Sequence, residues 1–241
     1  MFSRIRFLLL LISLIFCSVL ATAPQANAQS TPLVRPQHSQ MQTPMNDAAV
    51  EGVFSELPTD HAIGSSTASL HMIIYASVTC PHCSHWFTGV WPDIKANYVD
   101  TGKVRVVFRE MITEPAQLAY LGFQLANCAL DNDYFSVIEY QMKEQENIIK
   151  AVQAGNGKST YMAIAKLAGI KTEAEMNTCF GNPDGREQLN RSMKLATEGK
   201  ISGVPAFIVN GRVYKESQDY LPLTKYFESL LGQEFSPISK P

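Results

Sequence analysis

The sequence predicts an α/β domain: a mixed sheet laid down as βαβ and then ββα, with a helical block inserted between the two halves. Three observations carry this. An apolar, β-branched run over 70–77 precedes a segment of helical period and then an alternating run over 103–111. That is the strand–helix–strand order of a parallel pair joined by a right-handed crossover. Near the other end, an apolar run over 206–210 meets Asn210-Gly211, a two-residue type I′ hairpin signal, and an amphipathic segment follows. Between these halves, from about 113 to 182, apolar residues recur only at helical spacing.

Residues 1–28 carry Arg4 and Arg6, an apolar run from Phe7 to Leu20, and Ala26-Asn27-Ala28 as a cleavage site. These are the parts of a secretory signal peptide, and the apolar run falls short of the roughly 20 residues of a spanning helix. Cys17 lies inside the run after bulky Phe16, so a lipid-anchor reading finds no support and Cys17 is set aside. Cleavage there would remove two of 20 basic and none of 22 acidic side chains, for a mature net charge of 18 − 22 = −4. Such a balance gives no footprint for a nucleic-acid partner. Residues 29–44, rich in Pro, Gln and Ser, are too polar to order themselves and read as a tether. One folded domain is then expected over 45–241.

Within it, residues 45–57 place Val50, Val53, Phe54 and Leu57 on one face of a short helix, and 60–63 form an edge strand ended by Gly64-Ser65-Ser66. After the strand over 70–77, Phe87, Val90, Trp91, Ile94 and Tyr98 form a helical stripe, with Pro92 expected to kink it. The strand over 103–111 ends at Arg109 and Glu110, which read as a solvated strand end. His71 reads as structural and His85 as an exposed helix residue. Helical patterns follow at 115–130, 134–145, 161–169, 172–180 and 183–199. The hairpin returns over 212–215; Asp219 is placed to cap the last helix and Gly232 to stop it.

The chemistry gathers at Cys80-Pro81-His82-Cys83, between the first long strand and its helix. Cys80 falls at the helix mouth, where unpaired N–H groups and the positive end of the macrodipole favour an anion such as a thiolate. Pro81 suits the first helical position. Cys83 shares the apolar stripe of Phe87, so it is shielded while Cys80 is exposed. Two cysteines one helical turn apart supply an attacking thiolate and a second thiol that displaces the mixed disulfide. His82 stands where it stabilises that thiolate further, its bland alternative being a solvated turn residue. A zinc half-site would need a second close ligand pair, which Cys128 and Cys179 do not form, and haem attachment would need His where Ser84 stands. Cys128 and Cys179 both lie on apolar stripes, as two buried thiols or as a disulfide.

With Gly203-Val204-Pro205 opening the third strand and a helical block before it, this C-P-H-C arrangement resembles the DsbA family of bacterial periplasmic thiol:disulfide oxidoreductases, over roughly residues 58–235. The resemblance implies a thioredoxin-like fold with an inserted helical domain. It also implies Cys80 as nucleophile, Cys83 as resolving cysteine, Pro81 and His82 as the tuning dipeptide, and Val204 with a cis Pro205 beside the disulfide. Cys128 and Cys179 are similar to a second, structural cystine found in some members. Glu110 is the positional candidate for the family's buried acid.

The implied function is periplasmic oxidation of reduced, unfolded exported proteins, with reoxidation by a DsbB-like membrane partner, no cofactor, and a monomer favoured. Disulfide isomerase or reductase chemistry on the same fold is the runner-up, and a chaperone that binds unfolded proteins is the rival of another class. Were the Cys80 pKa to fall from about 8.5 to about 3.5, the limit DsbA itself sets, the reduced form would gain roughly 4.8 kcal/mol at pH 7. That is on the order of 100 mV.

Overall fold

The computed structural model describes residues 52–130 and 133–232. The expected signal peptide over 1–28, the tether over 29–44 and most of the expected helix over 45–57 lie outside them. The described part of that helix is different: residues 52–55 are turn and bend, and 56–57 have no regular structure.

Among the described residues five strands form one sheet in the order β1-β3-β2-β4-β5, with β1 His61–Ile63, β2 Leu70–Ala76, β3 Val104–Glu110, β4 Ala206–Val209 and β5 Arg212–Tyr214. β2 and β3 run parallel, from Leu70 against Val104 to Ala76 against Glu110, and every other pairing is antiparallel. Central β2 is buried on both faces. Its Met72, Ile74 and Ala76 enter one apolar cluster, its Ile73 and Tyr75 another, as the period of two in a pleated strand requires. The hairpin between β4 and β5 turns at Asn210 (φ 46°) and Gly211 (φ 77°), the two positive φ values a type I′ turn demands.

On the first face lie α1 Pro81–Gly89, α2 Trp91–Ile94, α9 Tyr220–Leu231 and the helical block. Trp86, Phe87, Trp91, Phe108, Phe123 and Phe135 are buried there, and truncating one such ring to Ala costs about 3–5 kcal/mol. Pro92 does not kink one long helix; it sits in the first turn of α2, after a break at Val90, and a π-helical turn Lys95–Val99 follows. The block itself is α3 Ala116–Asn127, α4 Tyr134–Lys143, α5 Gln145–Ala151, a π-helical turn Val152–Asn156, α6 Gly157–Leu167 and α7 Glu173–Phe180. Thr172 opens α7 with a capping box, its hydroxyl accepting from Glu175 N–H.

On the second face, α8 Pro183–Glu198 places Leu195 and Ala196 against Ile73, Val107 and Ile208, beside Val53. Asp219 occupies the N-cap of α9, but its carboxylate accepts no helix N–H and instead takes the Ser217 hydroxyl at 2.8 Å. Gly232 ends α9 in the left-handed region, φ 68°. In α9, Leu223 and Phe227 are buried, while Leu221 and Leu230 are exposed.

Candidate active site

The carboxyl end of β2 delivers the chain to Cys80, whose N–H bonds back to Ser77 O at 3.1 Å. Cys80 takes the N-cap position of α1 in an extended conformation, φ −85° and ψ 119°, and Pro81 begins the helix. Its carbonyl therefore accepts Ser84 N–H at 3.1 Å as the first helical bond. Because β4 runs antiparallel to β2, pairing Ala206 with Tyr75, the residues just before β4 arrive at the same edge. Cys80 Sγ lies 3.5 Å from Val204 O, and the Val204–Pro205 peptide is cis. Glu114–Pro115 is also cis, which nothing in the sequence signals.

The two thiols differ sharply. Cys80 is less exposed than its helix-mouth position suggests, at 7%, and Cys83 is fully buried with Ser77 N–H 3.5 Å from its sulfur. The side-chain hydrogen bond from Cys83 is the largest influence on Cys80 and lowers its pKa; burial opposes it. Backbone N–H groups of Cys83 and His82 and the charge of His82 add to the lowering, and the result is about 6. The Cys83 thiol is pushed far up, first by that same hydrogen bond and then by burial. One proton is thus shared so that Cys80 carries the negative charge. His82 and Pro81 are exposed. Since the His82 charge is the smallest of these influences, His82→Ala is expected to raise the Cys80 pKa less than Cys83→Ala does. Thiolate absorbance near 240 nm followed against pH measures both.

Two amides that the sequence does not flag hold the walls of the site. Gln145, at the start of α5, donates from Nε2 to Val78 O (2.8 Å) and Cys80 O (3.1 Å). Gln218 donates to Pro205 O at 2.8 Å, while its own carbonyl accepts Trp86 Nε1–H at 2.9 Å. Beneath Cys80, the hydroxyls of Ser77, Thr79 and Thr113 close a ring of hydrogen bonds at 2.8–3.2 Å.

Arg109 and Glu110 are not a solvated strand end: both are fully buried, on opposite faces of β3. Arg109 meets Asp60 at 2.8 Å and also donates to Val53 O, Ser55 O and the Tyr75 hydroxyl. Glu110, pushed up by burial, accepts from Asn127, Tyr134 and Ser192; neither cysteine is among its hydrogen-bond partners. His71 is an exposed residue 3.7 Å from Glu56, and His85 is exposed. Far from the C-x-x-C motif, Cys128 at the end of α3 is bonded to Cys179 in α7, with Cα atoms 6.0 Å apart.

A family model described as Thioredoxin matches residues 56–229. A Rickettsia felis protein that carries the provisional name protein-disulfide oxidoreductase is 27% identical over 191 residues, 79% of this chain and 62% of its own length. The chain spans 57% to 62% of the length of the first such curated relatives. Among solved structures, alpha-DsbA1 of Wolbachia pipientis superposes with a TM-score of 0.65 at 24% identity, covering 73% of this chain and 93% of that one. A protein-disulfide isomerase from Novosphingobium aromaticivorans gives 0.60 at 21% identity, covering 73% and 98%. At these identities the two structures speak to the fold alone. The extent of the family match, over most of the described domain, shows that the chain belongs to the thioredoxin family, and its fold is the one that family's DsbA proteins share.

Proposed function

We propose that this chain is a thiol:disulfide oxidoreductase that donates the Cys80–Cys83 disulfide to reduced, unfolded exported proteins. The observation that carries the reading is the asymmetry of the pair: Cys80 stands at the N-cap of α1 with its sulfur 3.5 Å from Val204 O beside a cis peptide, while Cys83 is fully buried one turn on. A substrate thiolate attacks Cys80 Sγ, forming a mixed disulfide and releasing Cys83, which takes up a proton. A second substrate thiolate then attacks the substrate sulfur, the Cys80 thiolate leaves, and two electrons have passed from substrate to protein. The lower the pKa of a leaving thiol, the faster it leaves, so Cys80 is the better departing group for donation. The cis Pro205 and the Val204 carbonyl form the wall against which the substrate sulfur is presented. Signal-peptide features in residues 1–28 support an exported, periplasmic setting, and a membrane disulfide donor would restore the oxidised pair.

At pH 7 a pKa near 6 in place of 9.0 stabilises the reduced form by about 1.4 kcal/mol, or about 30 mV. This is well short of the 100 mV scale of the most oxidising members, and it keeps isomerase chemistry as the second reading. The potential against a glutathione buffer tests both. Below about pH 6 two protons accompany two electrons and the potential should fall by about 59 mV per pH unit; above it, by about 30 mV. One unbroken slope of about 59 mV up to pH 8 would refute the assignment of Cys80. Faster reshuffling of a scrambled substrate than oxidation of a reduced one would favour the isomerase.

The same pKa sets a stability window. Because the folded value is depressed below the unfolded one, its contribution to the reduced protein is absent below pH 6 and grows as pH rises toward 9. The midpoint of thermal unfolding of the reduced form should rise relative to the oxidised form across that interval.

A further inference from the structure

We propose that Gln145 is a positioning residue for the thiol chemistry, fixing the Cys80 backbone so that its sulfur stays against the helix N-terminus; this rests on the reading of Cys80 as the attacking thiol. Its side chain is 5% exposed, and its Nε2 donates both protons to the loop that carries the cysteine. The acceptors, Val78 O and Cys80 O, stand on either side of Thr79. One amide therefore pins the peptide unit before Thr79 and the one after Cys80, and between them the extended φ and ψ of Cys80. That conformation aims the sulfur at the N–H groups of His82 and Cys83 and toward Val204 O. The donor comes from α5, 65 positions along the chain from Cys80, so the helical block takes part in setting the site and is more than a cover over it.

The same block supplies its own comparison. Gln141, 3% exposed, donates from Nε2 to Gly122 O (3.1 Å) and Val137 O (3.2 Å), two carbonyls of the block itself. Each glutamine makes two bonds from one buried amide, and only Gln145 reaches the active-site loop. A purely structural role predicts the same outcome for both on removal; a positioning role predicts different ones.

Gln145→Met and Gln141→Met, each with the Cys128–Cys179 bond intact and Cys80–Cys83 reduced, separate the two. The rate of Cys80 alkylation against pH gives its pKa, and equilibrium with glutathione gives the potential. With Gln145→Met the Cys80 pKa is expected to rise from about 6 to about 7, which lowers the alkylation rate at pH 6 about fivefold. The potential at pH 7 should then drop by about 20 mV, the same fivefold at about 30 mV per tenfold for two electrons. Gln141→Met should move neither, whatever its effect on thermal stability. Should Gln145→Met fail to fold, Gln145→Asn, which withdraws the amide by one methylene, should show the same rise. Equal shifts in the two series, or none with Gln145 replaced, would overturn the proposal. An ordinary thiol titration of wild-type Cys80 would instead overturn the parent reading and this inference with it.

Discussion

Replacing Cys83 with serine is expected to abolish disulfide donation, because the Cys80–Cys83 bond can no longer form, and to trap Cys80 on any disulfide-bearing substrate it attacks. When the free Cys80 thiolate attacks a substrate disulfide, the reverse of donation, it forms a mixed disulfide that the buried Cys83 thiol is placed to break from within. A serine hydroxyl does not attack a disulfide, so each Cys83→Ser molecule that captures a disulfide-bearing substrate keeps it. The steady rate should fall on the order of a thousandfold or more, the scale on which loss of one member of a coupled nucleophile pair acts. Non-reducing electrophoresis should show one substrate per molecule, and peptide mapping should find it on Cys80. Turnover at a wild-type rate, or an adduct on Cys128 or Cys179, would refute the assignment of attacking and resolving thiols.

Loss of the Cys128–Cys179 bond should produce a large change in stability. It closes a loop across 51 positions, and chain-entropy bookkeeping assigns such a loop about 4 kcal/mol, an upper figure because strain in the native state subtracts from it. For a domain of this size each kcal/mol is about 2–4 °C, so Cys128→Ala with Cys179→Ala should lower the unfolding midpoint by about 8–16 °C. Both forms are to be compared with Cys80–Cys83 reduced. The Cys80 alkylation profile should not change, because the bond joins α3 to α7 and neither cysteine reaches the site. An unchanged midpoint would show that the cystine does not brace the helical block.

What the sequence made legible was whatever repeats at short range. β2 and β3 were readable from β-branched runs, the β4–β5 turn from Asn210-Gly211, and the helical block from its apolar period. The C-x-x-C motif was readable because both cysteines sit within one turn of one helix. What stayed hidden depends on contacts between residues far apart. Gln145 is a polar residue at the end of an apolar pattern, and only the fold brings its amide to Val78 and Cys80. Arg109 and Glu110 looked solvated because charged residues usually are; the groups that receive them come from residues 53–60 on one side and from α3, α4 and α8 on the other. Gln218 escaped notice for the same reason. The exposure expected for Cys80 failed because the fold brings the Val204 carbonyl to 3.5 Å from its sulfur.

The ends of the sheet bear on what happens when this protein meets unfolded chains. Among the described residues, β1 and β5 are the two outermost strands and are three residues each, while the seven-residue β2 and β3 are enclosed between neighbours. A long open edge is a template on which an extended chain adds itself as a further strand, and from there aggregation spreads. A protein whose proposed partners are extended, sticky polypeptides is unusually exposed to that hazard. Edges this short give a passing chain too few consecutive main-chain partners to settle there. Encounters that do not lead to sulfur exchange should therefore be brief, and the protein should remain monodisperse in the presence of excess reduced, unfolded protein.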